Sequence, residues 1–395
     1  MKKMITLGVA AAFAVLSVTP ALAADDPTAT PTVTADDPAA TPAVAADDPA
    51  AGIDAFGRWQ QPRCDTVTGD GSVTFTRDEG KTITPTSQAP QPIVYTRGLV
   101  TLDRAGELLA MSNNLLLTSK DAGCTWTQVG KVQGSNITLT AARGGRAYAW
   151  DGDGNLSLVT PHGITQLTSP ADEVAGLTTD LLSGDRLRVA DGNGQLHDSR
   201  DGGRTWQAVG VPAFPQGELL MVYTAAFDPY NRNHVVMGAA TEGARVTYDG
   251  GRTWRSSTGL GGSRVNVFSA TISPAAPNVV YAMGLNLEET DANAPSGGRH
   301  IYRSLDGGHR FTPVVDQGDG ITIPNGPLLA AHPKDPGVLY FVWGTGWSGI
   351  GTDIYRYDSR RNRVTTNHNA YDRVTSIAFN PANSKVMYLG VAEES

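Results

Sequence analysis

Three stretches of the chain gather the residue types that cleave or hold a sugar. They read GLNLEETDANAPSGGRH (284–300), DQGDGITIPNG (316–326) and WGTGWSGIGTD (343–353). Between them they hold Glu288, Glu289, Asp291, Asp319 and Asp353, together with Trp343 and Trp347. Paired carboxylates hydrolyse a glycosidic bond when one is an acid and the other a nucleophile or base. A tryptophan face beside them is what a sugar-binding cleft uses. The competing reading is a polar solvated loop whose tryptophans pack at a sheet edge. A second chemistry lies in FGRWQQPRC (56–64), where Trp59 and Pro62 flank Gln60 and Gln61. Paired glutamines in a mobile segment suit a transglutaminase, which must draw a glutamine into its active site; the plainer reading is a polar connector.

Other chemistries find no support. The histidines at 162, 197, 234, 300, 309, 332 and 368 are scattered, with no H-E-x-x-H pair. There is no G-x-S-x-G elbow and no phosphate loop. DGDGN (151–155) opens like a calcium loop but lacks its glycine and distal glutamate, so it reads as a hairpin, as does DGNG (191–194). Two cysteines exclude a four-cysteine zinc site. No metal or cofactor is expected. The formal net charge is −8. Losing Lys2 and Lys3 makes it −10, and the six aspartates of the N-terminal tail leave −4 on the remainder. That balance argues against a nucleic-acid partner, which needs a basic patch.

The elements that must position these residues begin after a leader. Residues 1–23 read as a signal peptide, with Lys2 and Lys3, an apolar run from Ile5 to Val18, and Ala21-Leu22-Ala23 before Ala24. The run is too short to span a membrane, and no later segment is long enough. A secreted, extracellular protein is therefore expected. Residues 24–53 carry Asp-Asp-Pro at 25–27, 36–38 and 47–49 in an 11-residue repeat. With no large apolar side chain to bury, this linker is expected to be disordered.

From residue 54 onward the chain repeats itself. DSRDGGRTW (198–206) returns as VTYDGGRTW (246–254). The shared pattern S/T-x-D-x-G-x-T-W/F places Asp78, Asp121, Asp201, Asp249 and Asp306 at equivalent positions, with Arg310 replacing the threonine of the fifth copy. Such an Asp accepts backbone N–H bonds within a turn, and glycine supplies the positive φ. A second repeat, as in Phe227-Asp-Pro229 before Val235-Val-Met-Gly238, reads as a strand, a proline-bearing turn and a second strand. With blades beginning near 87, 131, 169, 211, 261 and 319, the count gives six four-stranded units. A seventh combines an outer pair within Val73–Thr86 with an inner pair within Val374–Gly390, closing the ring and removing a free sheet edge. The expected fold class is an all-β, single seven-bladed β-propeller over 54–395. Cys64 and Cys124 are expected to pair, fastening the N-terminal segment to the first complete blade.

These five turns resemble the Asp-box (BNR, sortilin-like) β-propellers, a family of sialidases, xyloglucanases, sortilin-type receptors and secreted non-enzymes. The resemblance puts the aspartates on the face opposite the functional loops, which makes them structural. Sialidases in this family carry an Arg-Ile-Pro motif; the matching region here, PIVYTRGLV with Arg97, lacks it. Xyloglucanases have a second ring, and sortilin-type receptors an anchor and a cysteine-rich module, none of which is read here. The chain is most similar to exported single-ring members that induce autolysis of a protease. That resemblance implies a monomer without catalysis of its own, binding an extracellular protein, a neutral metalloprotease, and serving as glutamine donor to a secreted transglutaminase through Gln60 and Gln61. A glycan bound by the loops of blades five and six is the other ligand class. The alternative is an Asp-box glycoside hydrolase, sialidase- or xyloglucanase-like, acting through those loops.

Overall fold

The computed structural model describes residues 59–90, 96–214, 220–318, 320–326, 328–344, 351–371 and 373–393. The expected signal peptide and linker, Asp319 and Trp347 lie outside the described residues. The described chain folds as a seven-bladed β-propeller. Blades 1 to 6 are four-stranded antiparallel sheets whose first strands are Leu99–Thr101, Thr138–Ala142, Val174–Thr179, Val222–Phe227, Val265–Ile272 and Leu329–Ala331. Blade 7 begins with Arg373–Phe379, continues with Met387–Ala392, and takes its third strand, Val73–Thr76, from the N-terminal end of the described chain.

Strand order follows apolar content. The second strands Val235–Ala239, Val280–Asn286 and Met387–Ala392 are buried at every residue, so they sit mid-blade with neighbouring blades against both faces. The outermost strand of blade 1, Thr127–Lys131, has no buried residue. Tyrosines link successive blades, because each buries its ring and still brings a hydroxyl to a backbone acceptor. Tyr148 of blade 2 donates to Gly184 O of blade 3 (2.9 Å), and Tyr281 of blade 5 to Pro336 O of blade 6 (2.7 Å).

The ring closes as Val73–Thr76 lies antiparallel to Met387–Ala392, with Val73 opposite Gly390 and Thr76 opposite Met387. The expected outer pair is only half formed. Thr84 N–H donates to Phe75 O (2.9 Å), but no regular fourth strand follows: Pro85 has no N–H to give, and Thr86 pairs instead with Val67 in a parallel bridge. The disulfide between Cys64 and Cys124 reinforces this closure. Thr68 N–H donates to Cys124 O (2.8 Å) and Trp126 N–H to Thr68 O (2.8 Å), so the segment is laced onto the turn of blade 1.

Antiparallel order gives the ring two distinct ends. The turns joining strands 1 and 2, and those joining 3 and 4, share one end with the acidic repeats. The turns joining strands 2 and 3, and the links between blades, share the other, here called the loop face.

Candidate functional site

Each acidic turn is a closed hydrogen-bond unit. In blade 3, Ser199 Oγ donates to Asp201 Oδ1 (2.8 Å) and accepts from Gly203 N–H (2.8 Å), while Thr205 N–H reaches Asp201 Oδ1 (2.9 Å) and its hydroxyl Oδ2 (2.6 Å). Asp249 repeats this with Thr247, Gly251 and Thr253. Thr253's hydroxyl and N–H hold the Asp249 carboxyl down at about 2, and the same pair of donors from Thr205 depresses Asp201 further. In Asp78 and Asp306 burial pushes upward, but bonds from Thr82 and from Arg310 N–H outweigh it. Asp121 receives Ser119 Oγ (2.8 Å) and Thr125 N–H (2.9 Å). Carboxylates so occupied serve the turn.

The loop-face carboxylates of blade 5 are also engaged. Asn286 caps the helical turn Leu287–Asp291, its side chain accepting from Glu288 and Glu289 N–H. Ser263 donates to Glu288 Oε1 through hydroxyl (2.6 Å) and N–H (3.1 Å), which depresses the Glu288 carboxyl. Burial raises Glu289, yet bonds from His300, Ser296 and Asn286 bring it below its ordinary value. Asp291 pairs with Arg264. A glycosidase acid needs the opposite shift, a carboxyl kept protonated near neutrality.

In blade 6, Trp343, Asp353 and His368 lie opposite one another on three adjacent strands. His368 Nδ1 meets Asp353 Oδ1 at 2.7 Å, and Tyr355 donates to Asp353 Oδ2 at 3.3 Å. Trp343 is half-buried against the core shared by blades 5 and 6. The structure therefore holds Glu288, Glu289 and Asp291 in one cluster on blade 5, and Trp343 with Asp353 in another on blade 6.

Asp151 and Asp191 accept the turn's own N–H groups at Asp153 and Asn155, and at Asn193 and Gln195. That is the hairpin arrangement. Gln60 and Gln61 are exposed beside a cavity of about 400 Å³, also lined by Arg63, Lys120 and Asp121. Their backbone is anchored where a mobile segment was expected. Trp59 and Pro62 are buried, Gln60 O accepts from Asn380 Nδ2 (3.0 Å), and Pro62 O accepts from Arg77.

Sequence reading missed two features. Four of the seven histidines, scattered in sequence, find a carboxylate: His197 with Asp191, His234 with Asp228, His368 with Asp353, and His300 with both Glu289 (2.8 Å) and Asp316 (2.7 Å). His300–Asp316 and His368–Asp353 are cross-strand partners, so strand register was the missing signal. The second feature is an apolar arc on the acidic-turn face. Seven large apolar side chains are exposed among the described residues, and five of them, Leu181, Leu182, Tyr230, Tyr248 and Leu305, lie on the strand 1–2 and 3–4 turns of blades 3 to 5. Side-chain contacts join these turns: Arg232 bridges to Asp180 (3.5 Å), Tyr248 stacks on His234 (centroids 4.2 Å apart), and Tyr248 Oη donates to Asp306 O (3.4 Å). Two of the exposed residues, Tyr248 and Leu305, occupy the variable second position of the acidic repeat, where sequence offers only alternation as a clue.

No protein-family model matches the chain. Among solved structures it resembles YCF48 bound to D1 peptide (TM-score 0.52, 12% identity, 85% of this chain and 100% of that one). It also resembles the GH74 xyloglucanase from Xanthomonas campestris (TM-score 0.50, 15% identity, 70% of this chain), of which it covers 48%, about half the length. Both likenesses concern the fold alone. Sequence similarity goes further with dispase autolysis-inducing protein from Streptomyces mobaraensis, 46% identical over 344 residues that make up 86% of this chain and 91% of that one. At that identity and coverage, the chain belongs to the family of dispase autolysis-inducing protein.

Proposed function

We propose that this chain is a secreted, non-catalytic propeller of the Asp-box type that binds a neutral metalloprotease and promotes its self-digestion. The relative's name supports a protease as partner. The observation that carries the binding reading is the apolar arc of Leu181, Leu182, Tyr230, Tyr248 and Leu305. Leu182 is 72% and Tyr230 64% exposed. Exposed large apolar side chains gathered on one face are a usual ground for protein recognition, and tyrosines are frequent energetic centres there. The carboxylates of the loop face weigh against the glycosidase alternative, since Glu288, Glu289, Asp291 and Asp353 are bound to local donors and Glu288 and Glu289 are depressed rather than raised.

Calorimetric titration with a purified neutral metalloprotease tests this. Leu182→Asp and Leu305→Asp change exposed side chains and are expected to weaken binding by about tenfold or more each, roughly 1.4 kcal/mol. Glu288→Gln and Asp353→Asn are expected to leave it unchanged. Equal affinity in all four variants would remove the arc from the reading. Cleavage of any glycan, lost in Asp353→Asn or Glu289→Gln, would replace it with the hydrolase. Gln60 and Gln61 stay the proposed donors for a transglutaminase, on the strength of their exposure.

A further inference from the structure

The mouth of the central channel on the loop face holds a cavity of about 400 Å³. Its position follows from topology. Arg97 lies two residues before the first strand of blade 1, Thr138 begins that of blade 2, and Arg373 begins that of blade 7. Ring closure makes these blades neighbours, with Thr375 and Ser376 of blade 7 both donating to Thr96 O beside blade 1. Leu328 and Val342 bring blade 6 to the same wall, and Asn325 comes from the link between blades 5 and 6.

Two arginines therefore line one recess, and among its described lining residues there is no carboxylate. In a chain of formal net charge −8, two arginines on one recess run against the overall sign. Both arginines also interact within the protein, and each guanidinium carries five N–H donors. Leu328, Val342 and Val374 supply an apolar wall on which water competes less, strengthening charge-assisted bonds at its edge. The apolar wall beside the two cations suits an anion that carries an apolar body.

We propose that the channel mouth binds an organic carboxylate, with Arg97 and Arg373 holding the charged end and blades 6 and 7 taking the apolar end. The carboxylate can belong to a free small acid or to the C-terminus of a peptide. This site is separate from the arc on the opposite face, so either can fail alone.

The test titrates the mature protein with benzoate and with benzamide, which has the same shape without the charge. Benzoate is expected to bind at least about tenfold tighter, and to weaken as salt is raised from roughly 50 mM to 500 mM. Arg97→Gln and Arg373→Gln are each expected to weaken benzoate about tenfold or more while leaving benzamide as it was. Arg97 is exposed, so Arg97→Gln decides the matter if Arg373→Gln does not fold. Acetyl-Ala-Ala-Ala-Leu with a free or amidated C-terminus separates the sources. Free-acid peptide bound more tightly than benzoate assigns the site to a chain terminus, and benzoate bound as tightly assigns it to a small acid. Benzamide binding as well as benzoate, or unchanged benzoate affinity in Arg97→Gln, overturns the proposal.

Discussion

Replacing both Cys64 and Cys124 with serine probes how the ring is closed. Blade 7 has three strands, and Val73–Thr76 is the only one drawn from the N-terminal end of the described chain. The disulfide lies upstream of that strand and joins residues 60 apart in sequence. Chain-entropy arithmetic for a loop of this length gives roughly 14 cal/mol/K, or about 4 kcal/mol at 25 °C, withheld from the unfolded state. Per-residue unfolding entropy near 2.1 cal/mol/K, over a folded part of roughly 340 residues, amounts to about 0.7 kcal/mol/K. The double variant should therefore melt about 6 °C lower. Differential scanning calorimetry measures it, and wild type scanned in dithiothreitol should show the same drop. A Tm within about 1 °C of wild type would refute the reasoning, since it means the cross-link does not restrict the chain that unfolds.

Other predictions follow from single contacts. Depressed folded-state values for Asp249 and Asp201 mean their bonds stabilise the fold above the unfolded carboxylate value, near 4. For Asp249 the contribution fades as pH falls toward about 2, so Asp249→Asn should lower Tm at pH 7 and lose less than wild type between pH 4 and 2. A wild-type-like Tm difference across that window would contradict it. Gly390→Ala presses a Cβ against Ser376 Oγ and Thr96 O, at the seam of blades 7 and 1. Overpacking there should cost about 1–3 kcal/mol, read as a lower denaturation midpoint. After transglutaminase treatment with a labelled amine, mass spectrometry should place label on Gln60 or Gln61; label confined to other glutamines removes both as donors.

Much of the ring was legible because its logic is periodic. The acidic turn writes its hydrogen bonds into residue types, since Ser or Thr, Asp, Gly and Thr each contribute one identifiable group. The apolar runs mark the strands between them, and two incomplete units at the ends implied their own pairing. What escaped depended on register or on single backbone groups. Pro85 interrupts the fourth strand of blade 7 through one missing donor. His300 meets Asp316, and His368 meets Asp353, only because particular strands align. Gln60 looked mobile in sequence because its anchor, Asn380, is 320 residues away. Side chains such as Tyr248 and Leu305 share a face only after four turns are brought to one end of the ring.

The most direct test of the central claim follows intact neutral metalloprotease by mass spectrometry, with and without the purified mature protein. The account predicts faster loss of the protease into its own cleavage fragments, abolished when its active site is inhibited and diminished when Leu182→Asp and Leu305→Asp are combined. A protease whose lifetime is the same in the presence and absence of the propeller would contradict it.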